Sequence, residues 1–400
     1  MVNQFDVIVI GQGPAGLFAA LELITRSNLS VLLLEQVKRI HDTRNVSNGW
    51  MGGSAKSNVK LFVDPGFGGY IEDIDLIEYF LAYLQAHSEY DFRVKVGNMP
   101  DALKQPILNA GISIDEPAVI TVPSDKLIGL ELSMRALLTS EAKIKINAPV
   151  EHISKNRRGF EVVTPGCTYK SRKCILAMGR GGPFWLERIS KDFELGKSDS
   201  SYDLGVRLEC PHHLIRKYTD KSPNFRLRWD YFRTSAISAK GAVEMGDVFG
   251  LKTSNGRCIA GKSTIYSNFS LLKTFTGEGA FESMLNAVQI VNILSDGQLL
   301  REPANRIITG NSILTPLKEF DEIIPGIQKV FEIFPKLEKR CSLYAPEARL
   351  NSLRYNLTKH GESDVRGMYL AGDMSGRTKS FVQSACSGLL AAKHIIQTIG

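Results

Sequence analysis

Paired cysteines are missing from this chain of 400 residues. Cys167, Cys174, Cys210, Cys258, Cys341 and Cys386 form no C-x-x-C spacing. That excludes a locally encoded zinc site and a redox dithiol, and it leaves six reduced, mostly buried thiols as the expectation. Long hydrophobic runs are also absent. No stretch reaches the roughly eighteen uncharged apolar residues of a spanning helix. The first apolar run stops at Gly11 without a basic segment before it, so neither a signal peptide nor a membrane span is expected. No low-complexity tract or internal repeat occurs, which excludes a disordered chain and a solenoid. Charge of one sign is only slightly in excess, with 49 Lys+Arg against 42 Asp+Glu and a formal net charge of +7. The basic residues are spread along the chain, so a solvated surface is expected rather than a nucleic-acid partner. A cytoplasmic protein follows as the expected location.

What is present is a globular composition, 43% hydrophobic and 23% charged. The chain is too long for one core, so two domains are expected. Residues 5–10 form a β-branched apolar run that reads as a buried parallel strand. Residues 14–26 carry apolar side chains at helical spacing, and residues 29–34 read as a second strand, completing a right-handed βαβ unit. Residues 44–69 are rich in glycine, asparagine and serine and read as a long functional loop. Helices are expected over 73–87 and from an N-cap at Ser124 to 139, then a strand at 144–146. A three-stranded meander is expected at 151–153, 160–163 and 173–177. Residues 190–341 change character, with strands at 205–208, 242–244 and 257–260 and a helix over 281–294. Pro325 and Pro335 divide residues 319–339 into short helices. A strand at 368–370, a turn at 371–373 and a helix over 381–398 close the chain. The fold class expected is α/β: a Rossmann-like domain with a βββ meander (residues 1–189 and 342–400) and an inserted α+β domain (190–341).

Gly11-Gln12-Gly13-Pro14-Ala15-Gly16 lies between the first strand and helix. A first glycine permits the tight turn, the second lets a pyrophosphate approach the backbone, and the third allows close helix–strand packing. The helix N-terminus adds free N–H groups and partial positive charge. Glu35, followed by Gln36, ends the second strand, where a carboxylate accepts hydrogen bonds from ribose hydroxyls. This combination predicts a dinucleotide site.

Two later segments narrow the dinucleotide. The strand ending Ala177-Met178-Gly179 and the strand ending Ala371-Gly372-Asp373 complete a pattern that resembles the two-dinucleotide-binding-fold flavoproteins, with a glutathione-reductase-type FAD domain. The resemblance implies FAD, with Asp373 on the ribityl chain and Ala177 and Gly179 beside the cofactor. A closer resemblance is to a little-characterised family of bacterial FAD-dependent dehydrogenases. Its GGAG-x-x-SDGKL loop is similar to Gly52-Gly53-Ser54 through Ser57-Asn58 and Lys60-Leu61, although the loop here is shorter and has Asn58 in place of aspartate. Leu204-Gly205-Val206-Arg207-Leu208-Glu209 is similar to a second motif of that family. The resemblance implies cofactor contacts from Gly52, Gly53, Ser54 and Val150.

No second G-x-G-x-x-G marks a separate NAD(P)H domain, and no His-Pro follows Gly372-Asp373 as in aromatic hydroxylases. The helix expected to start at Ser380–Phe381 would aim its N–H groups at the flavin N1/C2=O edge, where charge develops on reduction. Arg377, Lys379 and Lys60 are candidates for catalysis or for an anionic substrate; His41 and Trp50 also fall in or beside the glycine-rich loop. No metal site is expected, since adjacent His212 and His213 point to opposite faces if extended. Three functions fit. The first is an FAD-dependent dehydrogenase or oxidase that moves a hydride between a small organic substrate and flavin N5, with an external electron partner. The second is a flavin monooxygenase using NAD(P)H and O2. The third is an RNA-acting flavoprotein or flavin-binding interaction module, favoured if Arg226, Arg228, Arg233 and Lys240 share one face.

Overall fold

A computed structural model describes residues 3–37, 51, 59–179, 182–189, 193, 195–198, 201–248, 250–258, 263–277, 279–349 and 354–399. The chain divides into two compact units. One comprises Met1–Arg93, Ile120–Ser198 and Leu353–Gly400; the other comprises Val94–Val119 and Asp199–Ser352.

In the first unit β1 (Gln4–Ile10) runs into α1 (Pro14–Arg26) and then β2 (Val31–Leu34). Pro14 sits in the first turn of α1, where its missing N–H costs no hydrogen bond. Helix α2 (Ile74–Ala86) begins at Asp73, whose side chain accepts from Leu76 N at 3.1 Å. Next come α3 (Ser124–Glu141), β3 (Lys143–Lys145), β4 (His152–Asn156), β5 (Gly159–Thr164) and β6 (Cys167–Leu176). After the second unit the chain returns as β7 (Met368–Leu370) and α4 (Phe381–Thr398).

The strands β3, β2, β1, β6 and β7 pair in that order, all parallel. Val7, Ile8, Val9 and all four residues of β2 are buried, as central strands covered on both faces require. Strand β6 serves two partners along one edge: residues 167–171 pair antiparallel with β5, and residues 174–176 pair parallel with β7. The expected third meander strand at 173–177 is therefore only the second half of a longer strand. Within the expected loop at 44–69, Val59–Phe62 is instead a strand that pairs with Val119–Val122. The cap of α3 is Pro123 rather than Ser124, because Pro123 takes the extended conformation and Ser124 is already helical; α3 continues to Glu141.

The second unit is α+β. Its antiparallel sheet has the order Leu300–Pro303, Ser342–Arg349, Ser201–Pro211, Tyr266–Thr276, Phe232–Thr234, Arg226–Trp229, Ser113–Asp115. Leu204, Val206, Leu208, Phe269 and Leu271 on one face join Met284, Val288, Ile327 and Val330 from the helices Ala280–Leu294 and Ile324–Ile333 in one core. Most of the alternate residues are polar: Asp203, Arg207, Glu209, Asn268 and Ser270. Arg207 forms a buried two-pronged pair with Glu347, at 2.9 and 2.6 Å, and reaches Asn268 Oδ1 at 2.9 Å. Ala242–Val248 and Leu251–Arg257 form a separate hairpin, so the strand expected at 257–260 ends at Arg257; residues 259–260 lie outside the described residues.

Candidate functional site

Three turns meet at the carboxyl ends of β1, β6 and β7. Gly11 leaves β1 with φ +101°, and its N–H donates to Leu34 O at 2.8 Å. A Cβ at Gly11 would come within 2.5 Å of Ala177 O, and one at Gly16 within 1.9 Å of Gly11 O and 3.3 Å of Ala177 Cβ. Gly372 follows β7 with φ +71°, and a Cβ there would meet Ala15 Cβ at 2.9 Å. The fingerprint turn, the Ala177–Gly179 turn and the Gly372-Asp373 turn thus pack against one another through positions that admit no side chain. Gly13 differs: a Cβ there would meet nothing within 4 Å. The open side of Gly13, at the N-terminus of α1, is the cradle a pyrophosphate requires.

Glu35 is buried at the end of β2. Its Oε2 accepts from Gln12 N at 2.9 Å and its Oε1 from Val37 N at 3.1 Å, which fixes the carboxylate beside the fingerprint turn. Each oxygen retains a lone pair for a ribose hydroxyl. Gln36 is exposed. Gln12, not singled out from the sequence, is 1% exposed, and neither its Oε1 nor its Nε2 has a hydrogen-bond partner among the described residues. A buried primary amide costs free energy unless satisfied, so this orphan fits a polar group bound at the turn. With the open face at Gly13, it makes the site compatible with FAD.

Helix α4 supplies the other end of the site. Ser380 caps it, accepting from Gln383 N at 3.2 Å, and Phe381 packs near Phe80 with ring centroids 6.3 Å apart. Asp373 Oδ1 accepts from Ser384 Oγ at 3.2 Å, so the first turn of α4 orients the carboxylate. Gln383 clamps the preceding loop: Ile71 N donates to its Oε1 at 2.9 Å, and its Nε2 donates to Ile71 O at 2.8 Å. Lys379 N donates to Gly68 O at 2.6 Å, while the Lys379 side chain is exposed. The Arg377 guanidinium donates to Tyr355 O and Leu357 O at 3.3 and 3.0 Å and lies 5.6 Å from the Tyr70 ring centroid. Burial pushes the Tyr70 phenol up, partly offset by Arg377. Burial also pushes the Cys386 thiol in α4 up to about 12, which makes it an unreactive core residue.

Val150 is half-buried against the core, and its carbonyl accepts from Trp185 Nε1 at 2.8 Å. Lys60 is half-buried on the strand Val59–Phe62. Gly179 follows β6 with φ +68°. His41, Trp50, Gly52, Gly53 and Ser54 lie outside the described residues. His212 and His213 belong to a 3-10 turn rather than to extended chain. In the second unit Arg226, Arg228 and Arg233 do share one face. Asp115 pairs with the first two at 3.0 and 2.9 Å, and Asp203 pairs with Arg233, which offsets much of the positive charge. The Lys240 backbone N–H donates to Ser267 Oγ at 3.1 Å. No helix among the described residues is long and apolar enough to cross a membrane.

Residues 6–64 match the family model described as FAD binding domain. No curated protein matches the chain. Similar solved structures include glycine oxidase from Geobacillus kaustophilus, 12% identical over 99% of this chain and 95% of that one, with a TM-score of 0.43. The amino acid oxidase NikD is 12% identical over 97% and 94%, TM-score 0.44, and the tetracycline destructase Tet(51) is 14% identical over 100% and 82%, TM-score 0.42. The matched segment spans the fingerprint turn, α1 and Glu35, and on that ground the first unit carries an FAD-binding domain, with FAD as its cofactor.

Proposed function

We propose that the protein is a dehydrogenase or oxidase that moves a hydride between a small organic substrate and FAD. The observation that carries this reading is the packing of the Gly11–Gly16, Ala177–Gly179 and Gly372-Asp373 turns at the carboxyl ends of parallel strands, with Gly13 left open. Bound FAD supplies two-electron chemistry at flavin N5. The residues of the chain then divide the binding. Backbone N–H groups of Gly13, Pro14's neighbour Ala15 and Gly16, at the start of α1, take the pyrophosphate, and Glu35 takes the ribose hydroxyls. Asp373, oriented by Ser384, takes the ribityl hydroxyls, and Gly179 gives the backbone close access. The N-terminus of α4 at Ser380–Phe381 offers partial positive charge where electron density rises on reduction. Arg377 holds backbone carbonyls and positions the chain around Tyr70.

Stopped-flow mixing of the FAD-loaded protein with a panel of small alcohols, amines and acids under anaerobic conditions checks the reaction class. Bleaching of the visible flavin absorbance by one of them is the expected result. Bleaching only by NAD(P)H, with turnover that then requires O2 and an aromatic acceptor, would point to a monooxygenase instead.

A further inference from the structure

One side chain of the fingerprint turn is buried with no role in the packing of the turn. Gln12 is 1% exposed, and neither Oε1 nor Nε2 of its amide has a hydrogen-bond partner among the described residues. Its backbone, by contrast, is held at both peptide groups. The Gln12 N–H donates to Glu35 Oε2 at 2.9 Å, and the Gln12 carbonyl accepts from Met51 N at 2.9 Å. A shift of the turn that carried the amide out to water would break both bonds. An enclosed primary amide with both ends unpaired costs the folded chain free energy. A methionine or leucine would fill a similar volume without that cost, so packing alone does not call for glutamine here.

We propose that the Gln12 amide recognises the adenosine ribose of the bound dinucleotide beside Glu35, an inference that rests on FAD as the cofactor and deepens it. A primary amide both donates and accepts, so a partner that satisfies it must do the same. Pyrophosphate oxygens only accept and would leave Oε1 unpaired. A sugar hydroxyl does both. Position agrees, because the carboxylate that takes the ribose hydroxyls is bonded to the backbone of Gln12 itself. The amide is then unsatisfied in the apoprotein and satisfied in the loaded protein. Gln12 therefore acts with opposite sign in the two states: it weakens the apoprotein and strengthens the hold on FAD.

Thermal melts of the apoproteins and calorimetric titration with FAD and ADP test the proposal in wild type, Gln12→Met and Gln12→Leu. Both substitutions keep the bulk of the side chain and remove its polar atoms. Each variant apoprotein should melt no lower than wild type, and up to about 4 °C higher. Each should bind FAD and ADP about tenfold more weakly. Titration with 2′,3′-dideoxy-ADP locates the partner. Loss of the two hydroxyls should weaken binding to wild type more than to either variant, where the Gln12 contact is already gone. Variants that bind FAD and ADP like wild type overturn the proposal, as do variants that lose as much as wild type on passing to the dideoxy nucleotide. If both variant apoproteins melt well below wild type or fail to fold, the amide is satisfied within the chain and the proposal is overturned; if one does, the other decides. Wild type that binds neither FAD nor ADP overturns the cofactor itself, a failure that the same titration separates from the others.

Discussion

Gly13 and Gly16 occupy one turn, yet substitution should affect them differently. Alanine at Gly16 would drive a methyl group to 1.9 Å from Gly11 O, so G16A should lower stability by about 3 kcal/mol or more. Alanine at Gly13 meets no protein atom within 4 Å, so G13A should stay within about 1 kcal/mol of wild type, the loss of a tolerated N-cap glycine. Thermal melts of the two apoproteins check the contrast. A second residue-scale prediction concerns Glu131 in α3, 1% exposed, whose carboxyl is raised by burial from 4.5 to about 7, with Arg135 pulling it down. The folded chain therefore holds this proton more tightly than the unfolded chain. Its contribution to stability is fully present below 4.5 and is lost as pH rises through about 7. Glu131→Gln should remove that slope and add about 1–3 kcal/mol at about pH 8, read from denaturant melts across pH. Gly11, Gly16 and Glu35 were legible in the sequence because a strand, a turn and a helix dictate local backbone needs. Gln12 and Gln383 were not, since an amide reveals its role only through partners distant in the chain.

At the scale of elements, α1 and α4 were readable to the residue, because apolar spacing, Pro14 and the Ser380 cap all act locally. The strand Val59–Phe62 and the first half of β6 were not readable, because each is made by a distant edge: Val119–Val122 for one and β1 with β5 for the other. Distant partners also fix the loop before α2. Gln383 holds Ile71 by two hydrogen bonds, and Gly69 lies so close that a Cβ would meet Gln383 Oε1 at 2.2 Å. Gln383→Ala should cost about 1–3 kcal/mol by leaving the buried Ile71 N–H unpaired, with earlier proteolysis at residues 64–71 as the local readout. Loss of stability without any change at that loop would contradict the clamp.

On the scale of the whole molecule, each unit is assembled from separated stretches of chain. Residues 94–119 leave the first unit to add a helix, Asp101–Asn109, and the edge strand Ser113–Asp115 to the second. A three-residue strand has too little pattern to announce itself, and its pairing with Arg226–Trp229 is purely tertiary. The α/β class was legible because the parallel strands are apolar throughout, and the second unit read as α+β because its sheet alternates Leu204, Val206 and Leu208 with Asp203, Arg207 and Glu209. The cofactor was legible only through three motifs widely separated in the chain, which the fold packs together. Titration of the apoprotein with FAD, followed by flavin fluorescence for wild type and Gly13→Ala, tests that convergence most directly. One FAD per chain, bound at least about tenfold more weakly by the variant at unchanged stability, is the predicted result. An apoprotein that takes up no FAD, or a variant that binds it as tightly as wild type, would contradict the account.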